Sequence, residues 1–323
     1  MTDPAKARAA KSRPITGGSV NEADLPVTTG VAWDARAKPA ESPLAQGLRR
    51  LRKSTTAVVG AVIVAVLVVV ALFADVLAPL SPIASNQART FASPSWEHPL
   101  GTDQLGRDML SRVIHGSRIS LLVGVSSVLL ALFVGVPFGM MAGFYGGRVD
   151  ALIMRVMDLI LAFPIYLLAI ILMVIFTPTA GLIGTMKVTG AIAIVRIPIY
   201  ARLVRGSVLS IKEKEYVEAC RALGVRDPWI LFRHVLPNCL APIIVTTTLG
   251  IATSIIVEAT LSFLGLGTQP PTPSWGWDLK ANVAFIQSNP WISLFPGIAI
   301  FVTVLGFNLF GDGLRDALDP RLK

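Results

Sequence analysis

The sequence predicts an all-α membrane protein with six transmembrane helices. Of its 323 residues, 53% are hydrophobic and only 15% are charged, and the mean hydropathy is +0.64. Soluble domains carry about 25% charged residues, so this composition favours a bilayer as the solvent. A helix needs about 20 mostly apolar residues to cross the hydrocarbon core, and six runs are long enough. The predicted spans are residues 55–79, 119–144, 149–176, 181–204, 238–266 and 291–313.

The chain before the first span is polar. Residues 1–45 are rich in Ala, Pro, Gly, Ser and Thr and lack a periodic apolar pattern, so we expect a disordered cytoplasmic tail. Arg49, Arg50, Arg52 and Lys53 lie directly before the first span and fit an anchor against anionic lipid headgroups. Because so long a polar segment precedes it, the first span is not typical of a cleaved secretory signal.

The net charge of +9 orients the chain in the membrane. Cytoplasmic loops of membrane proteins retain Lys and Arg. With the N-terminus in the cytoplasm, 22 of the 29 Lys and Arg residues fall on the cytoplasmic side, six fall outside, and Arg196 lies within a span. This bias predicts that both termini are cytoplasmic and gives no reason to expect a nucleic-acid partner. Cys220 and Cys239 lie at the cytoplasmic side, where thiols stay reduced.

The three longest connections between the spans are two external loops and one cytoplasmic loop. Residues 80–118 form the longest external loop, with a short amphipathic piece near its end. The loop at 267–290 is dense in Pro, Gly and Trp, and we expect Trp275, Trp277 and Trp291 to be interfacial anchors. The expected organisation is a tail at 1–45, the first transmembrane helix plus external loop at 46–117, a transmembrane domain at 118–313 that contains a cytoplasmic loop at 206–237, and a cytoplasmic C-terminus at 314–323.

The cytoplasmic loop at 206–237 has the pattern of a helix that ends in a sharp turn. Charged and apolar residues alternate at helical spacing, with Tyr216, Ala219 and Leu223 on one stripe. Gly224 follows, and glycine readily adopts the left-handed conformation that commonly ends a helix. We therefore predict a helix up to Leu223 and a tight turn at Gly224.

A second short helix is predicted after this turn. Asp227 and Pro228 have the pattern of an N-cap and a first helical residue, and a Pro-led start of the next span follows. A compact helix pair, fixed at both ends to transmembrane helices, is suited to docking another protein. Glu218 and Arg221 would offer opposite charges to such a partner. The alternative is an ordinary solvated loop helix.

The same stretch resembles the EAA loop of ABC-importer permeases. That pattern is Glu-Ala-Ala, three residues, Gly, nine residues and Ile-x-Leu-Pro, and here Cys220 and His234 replace its second Ala and its Ile. The matching residues are Glu218, Ala219, Gly224, Leu236 and Pro237. Residues 98–108, 258–267 and 311–321 are similar to further signatures of the dipeptide and oligopeptide branch, specifically its "C" type. The resemblance covers residues 45–323.

The resemblance implies a type I ABC importer permease fold in a bacterial plasma membrane, and a set of partners. A homologous second permease subunit completes the pore, two ABC ATPase domains or subunits dock on the paired loops, and an extracytoplasmic peptide-binding protein delivers the solute. The residues with an implied docking role are Glu215, Tyr216, Glu218, Ala219, Arg221, Gly224, Leu236 and Pro237. The expected function is import of dipeptides or oligopeptides, with nickel chelates, glutathione or opines as the alternative solutes.

The sequence contains no nucleotide-binding loop. A Gly-x-x-x-x-Gly-Lys-Ser/Thr pattern is absent, and the cluster of Gly143, Gly146 and Gly147 lacks the Lys, so we interpret it as a tight loop between spans. We therefore expect no catalytic residue, no cofactor and no metal site, with ATP hydrolysis in a partner chain. Outside the family, an ion-coupled secondary transporter and a membrane anchor without transport activity are the alternatives.

Ionisable residues at membrane depth are candidates for the translocation path, because a charge there is costly. Arg196 lies midway along the fourth span, two residues before Pro198, and would attract a peptide carboxylate if it faced the path. The alternative is that Arg196 pairs with an acid of a neighbouring helix or snorkels towards the cytoplasm. Asp158 and Glu258 are the natural acidic partners, and Glu258 has neighbouring hydroxyl groups as a second option.

Overall fold

The structure, a computed structural model, describes residues 51–52 and 54–318, and its regular elements there are helical. The α-helices of this part are α1 (Thr55–Leu72), α2 (Ala74–Leu77), α3 (Met109–Tyr145), α4 (Gly147–Leu161), α5 (Ile165–Phe176), α6 (Gly181–Ile211), α7 (Glu215–Ala222), α8 (Asp227–Ile230), α9 (Leu236–Phe263), α10 (Trp275–Asn282) and α11 (Trp291–Leu318). The predicted tail at 1–45, most of the basic cluster before the first span and the end of the C-terminus lie outside the described residues.

Five helical segments of the described chain are long and apolar enough to cross a bilayer. They are α1, α3, α6, α11 and the continuous segment Asp227–Phe263, which contains α8 and α9. The pair α4 and α5 passes the same test together but is bent by 88°, and it supplies the sixth span if counted as one. Pro164 lies at this bend as the N-cap of α5, and its missing N–H prevents the α4 hydrogen-bond pattern from continuing. The all-α prediction is confirmed, with a break in the third span.

Helix α3 is 37 residues long and starts before the span predicted there. The side chain of Asp108 accepts a hydrogen bond from the backbone N–H of Ser111 at 2.8 Å, which caps the first turn. The expected boundary between 117 and 118 therefore falls inside one continuous helix. At its other end, Gly146 and Gly147 have φ of +65° and +53°, as the predicted tight loop requires.

The contact between α3 and α6 forms the centre of the bundle. Gly135, Gly139 and Gly143 recur every four residues on α3 and face α6. A Cβ on Gly135 would lie 2.8 Å from the carbonyl oxygen of Ile197, and one on Gly143 would lie 2.9 Å from that of Arg205. Small residues let helix backbones approach closely in a membrane, where packing drives helix association. This seam fixes the loop after α6 relative to α3.

A buried ion pair closes the end of the bundle at which α3 begins. Arg112 donates from Nε to Oδ1 of Asp278 on α10 at 2.8 Å, and from Nη1 to the carbonyl oxygen of Pro82 at 2.9 Å. Both charged side chains are almost fully buried. Beside them, Nε1 of Trp275 donates to the carbonyl oxygen of Val113 at 2.9 Å. The prediction that Trp275 is an interfacial anchor is wrong, because the indole is buried and attaches α10 to α3.

Candidate functional site

Helix α7 ends in a turn that glycine adopts without strain. Gly224 has φ +74°. The N–H of Val225 donates to the carbonyl oxygen of Cys220 at 3.1 Å, and the N–H of Gly224 donates to that of Arg221 at 2.9 Å. These two bonds are the Schellman motif of a helix C-terminus, so the predicted end of the helix is confirmed. No atom of the described chain lies within 4 Å of a Cβ built on Gly224, so conformation rather than crowding requires the glycine.

The second helix of the loop continues into the fifth span. Helix α8 has Arg226 as its N-cap residue, and the Arg226 carbonyl accepts the first helical hydrogen bond, from the N–H of Trp229 at 2.9 Å. The predicted N-cap, Asp227, is therefore one residue too late, and Pro228 is the second helical residue. One turn of π-helix, Leu231–Val235, joins α8 to α9 without a break. Such turns are often found at functional sites.

The inner face of the helix pair packs against the end of the bundle where α3 stops. Val217, Ile230 and Val235 are fully buried. They form one apolar cluster with Val204 and Val208 of α6. The packed side chains therefore connect the helix pair to α6 and α9, and a displacement of the pair would be felt by both spans.

Two further contacts hold α7 between α3 and α9. The guanidinium of Arg221 lies 4.6 Å from the centroid of the Phe144 ring, a cation–π contact with the last turn of α3. On the other side, Nδ2 of Asn238 donates to the hydroxyl of Tyr216 at 3.4 Å and to the carbonyl oxygen of His234 at 2.6 Å. Arg221 thus contacts its own subunit, in addition to the docking role that the sequence suggested.

The outward surface of the pair carries four exposed aromatic or aliphatic side chains. Leu223 is 83% exposed, Phe232 62%, Trp229 60% and Tyr216 40%, and we call these four residues the outer loop face. The remaining docking candidates lie beside it or at the start of α9: Glu215, Glu218, Ala219 and Pro237 are exposed, and Leu236 is half-buried. An exposed apolar patch rimmed by polar residues is typical of a protein–protein contact.

Arg196 of α6 has no acidic partner in the part of the chain that the structure describes. Its Nη2 donates to Oγ1 of Thr253 on α9. Thr253 is exposed at the surface of the subunit, and Arg196 itself is partly buried. The expected pairing of Arg196 with Asp158 or Glu258 is therefore wrong.

Both of those acids have other partners. Asp158 pairs with Arg202 near the exposed surface of α4. Glu258 is 0% exposed, and its Oε1 accepts hydrogen bonds from Ser262 at 2.7 Å and from Ser274 at 3.0 Å. Glu258 therefore connects α9 to the residue before α10 inside the subunit. Glu258 does have hydroxyl partners, as expected, and they are Ser262 and Ser274. Because Glu258 is fully buried, its carboxylate is not exposed at the surface of this subunit.

Three aromatic residues of this region were not singled out by the sequence pattern: Phe144, Trp229 and Phe232. A usable signal existed for two of them. Trp229 and Phe232 are three residues apart, so they share one helix face, and they lie between the charged residues Arg226 and Arg233. Phe144 gave no such signal, because its contact with α7 is made only in the folded chain.

Two family models match this chain. Residues 135–323 match the model described as "Binding-protein-dependent transport system inner membrane component", which is more than half of the sequence. Residues 42–94 match the "N-terminal TM domain of oligopeptide transport permease C". The chain belongs to this family of ABC-importer permeases. It is a multi-pass helical protein of the inner membrane.

The permease is similar to several known proteins along most of its length. It is 46% identical to the dipeptide transport system permease protein DppC of Alkalihalophilus pseudofirmus over 88% of this chain and 92% of that protein. It is 46% identical to the di/tripeptide transport system permease protein DppC of Pseudomonas aeruginosa over 87% of this chain and 93% of that protein. It is 44% identical to the glutathione transport system permease protein GsiD of Pectobacterium atrosepticum over 89% of this chain and 94% of that protein.

The fold of this permease matches that of a solved ABC importer. The structure of the MetNI methionine ABC transporter in inward-facing conformations aligns with a TM-score of 0.53 and 17% identity, over 65% of this chain and 98% of that chain. A likeness at this identity concerns the fold alone. It confirms the type I permease fold that the resemblance implied.

Proposed function

We propose that this permease is the transmembrane subunit of an ATP-driven peptide importer, and that the loop between α6 and α9 seats an ABC ATPase. The outer loop face is the observation that carries the proposal. Apolar residues exposed along the spans are solvated by lipid, but the outer loop face belongs to a segment dense in Glu, Lys and Arg, which belongs in water. Leu223 and Trp229, at 83% and 60% exposure, need a protein cover there.

The proposed docking residues have different roles in the proposed contact with the ATPase. The outer loop face supplies apolar area, and the neighbouring carboxylates of Glu215 and Glu218 supply charge for basic groups on the ATPase. Ala219 is small enough to allow a close approach, and Gly224 sets the turn between the helices. Leu236 and Pro237 start α9 and direct the loop back into the bundle.

In the proposed mechanism, the ATPase moves the loop and the loop moves the spans. ATP closes the ATPase dimer and turns the permease pair towards the outward-facing state, and hydrolysis in the ATPase reverses the change, a rigid-body alternation between two states. The buried cluster around Val217 carries this displacement to α6 and α9, and the contact of Arg221 with Phe144 carries it to α3. The permease supplies no catalytic group.

The proposed solute is a dipeptide or oligopeptide. Two relatives at 46% identity are named as dipeptide and di/tripeptide permeases, and the matching N-terminal model is that of oligopeptide permeases. Glutathione is a second candidate, because one relative at 44% identity is named as a glutathione permease. Dipeptides or oligopeptides and glutathione are all short peptides with free carboxylates, so the same translocation path could accommodate each of them.

Helix α3 separates the two ends of the subunit, to which we assign an orientation and the remaining partners. Its 37 residues, at about 1.5 Å each, separate the outer loop face from the loop that carries Trp96 by about 55 Å. We place the outer loop face in the cytoplasm, where ATP is available, together with both termini. The opposite end then receives the extracytoplasmic binding protein, and a homologous second permease completes the path. The segment 46–117 supplies the first transmembrane helix and the external loop, and 118–313 supplies the remaining transmembrane domain.

Charge substitutions at the two ends of α3 test this proposal. Trp229→Glu should abolish copurification of the ATPase and uptake of a labelled dipeptide, while the permease pair still assembles, because Trp229 is exposed in the free subunit. Trp96→Glu is the matched control, since Trp96 is also fully exposed but lies at the opposite end, and the ATPase should stay bound. Equal ATPase recovery with both variants would rule out docking on the outer loop face.

A further inference from the structure

Arg196 is a cation in the membrane-spanning part of the subunit that lacks a counter-charge within the described residues. Its one side-chain hydrogen bond there is from Nη2 to the hydroxyl of Thr253. The ionisable side chains of the described residues that act on Arg196 are the phenols of Tyr200 and Tyr166, and neither is a carboxylate. A guanidinium at this depth costs several kcal/mol unless it meets an anion.

Arg196 is partly buried, and its hydrogen-bond partner Thr253 is exposed at the surface of the subunit. A Cβ on Gly250 of α9 would lie 3.5 Å from Nη1 and would crowd the hydroxyl of Tyr200. The glycine therefore leaves room beside the guanidinium, while the fully buried Tyr200 fills the interior behind it. Thr253 holds Nη2 at the exposed edge of α9. The other N–H groups of Arg196 donate no hydrogen bond to a side chain of the described residues.

We propose that Arg196 binds the carboxylate of the solute as it passes through the membrane, with Thr253 orienting the guanidinium. This inference rests on the proposed function. A guanidinium presents a planar fork that matches a carboxylate with two parallel hydrogen bonds. Dipeptides, oligopeptides and glutathione all carry a free carboxylate, so each would supply the missing counter-charge. The other candidate anion is an acidic side chain of the second permease, which the experiment must separate.

The test uses the complete complex with its binding protein in proteoliposomes. Uptake of labelled Ala-Ala and of its C-terminal amide is measured for the wild type and for Arg196→Gln, Arg196→Lys and Lys187→Gln. Lys187 is a matched control, because it is a cation on the same helix whose Nζ is held by the carbonyl of Thr177 and the hydroxyl of Thr179. All variants share one binding protein, so its own preference cancels when the Ala-Ala to amide ratios are compared.

We expect Arg196→Gln to lower the Ala-Ala to amide uptake ratio about tenfold, with unchanged ATPase stimulation by the loaded binding protein. Arg196→Lys keeps the charge but loses the planar fork, so it should keep only part of the ratio, and Lys187→Gln should keep all of it. An unchanged ratio in Arg196→Gln, or loss of the second permease from the purified complex, would overturn the inference. A wild-type complex that imports neither compound would instead contradict the proposed function.

Discussion

The buried pair of Arg112 and Asp278 provides a quantitative test of the fold. Replacing Arg112 with Met keeps an unbranched apolar stem but removes the guanidinium and its hydrogen bonds to Asp278 and to the carbonyl of Pro82. Asp278 is 0% exposed, so its carboxylate would remain buried without a partner. Breaking a buried ion pair by removing one partner costs about 3–5 kcal/mol. Arg112→Met should therefore destabilise the subunit by about that much.

The pH dependence of this loss has a definite sign. Burial raises the pKa of Asp278, and the guanidinium of Arg112 opposes that rise. Without Arg112, the carboxyl group takes up a proton at a higher pH in the folded subunit than in the unfolded chain, where its pKa is about 3.9. A raised pKa in the folded state favours folding at low pH and loses that benefit as pH rises through it. Arg112→Met should therefore be less destabilised at about pH 5 than at about pH 8.

Thermal stability of the purified subunit, followed by the loss of its monodisperse chromatographic peak on heating, measures the effect. The double variant Arg112→Met with Asp278→Asn removes both charges and should recover part of the loss. A double variant less stable than Arg112→Met, or a loss that grows as pH falls, would refute the idea that an unpaired carboxylate causes the defect.

Three more predictions follow from particular contacts. In Gly139→Leu, the new side chain would collide with the carbonyl of Ala201 and should destabilise the contact between α3 and α6 by about 1–3 kcal/mol. The same chromatography measures this loss. Gly190→Leu is the control and should not destabilise the subunit, because no atom lies within 4 Å of a Cβ at Gly190. Gly224→Trp should abolish dipeptide uptake while membrane insertion, assayed by fractionation, stays intact, and normal uptake would contradict the docking role. Arg221→Ala should lower the uptake per ATP hydrolysed, measured in proteoliposomes, and Arg221→Lys should restore part of it by keeping a cation over Phe144; equal coupling in both would exclude that contact.

The spans were predictable because a bilayer leaves the chain few options. Backbone polar groups in lipid must be satisfied within a helix, so long apolar runs specify helices directly. The turn at Gly224 was equally predictable, because it depends on a glycine that directly follows the helix in the sequence. The bend of the third span was also indicated locally by Pro164. The span was nevertheless predicted as unbroken, because the residues around Pro164 form one long apolar run.

The interior polar contacts were not predictable from the sequence. Arg112 and Asp278 are 166 residues apart, and no periodic pattern connects them. Their pairing buries Arg112 in a segment that the sequence placed in an external loop. For the same reason Trp275 was expected at the interface. Arg221 and Glu258 show the same limit, since both were given partners by residue type, whereas packing selected Phe144 and two serine hydroxyls.

The accessibility of Leu223 in the intact complex tests the central claim most directly. In a permease whose Cys220 and Cys239 are replaced by Ala, a Leu223→Cys variant offers a thiol at the centre of the outer loop face. We predict rapid maleimide labelling of this thiol when the permease pair is purified alone, and protection when the ATPase subunits are present. Equally rapid labelling in a complex that hydrolyses ATP and imports peptide would show that the ATPase is seated elsewhere.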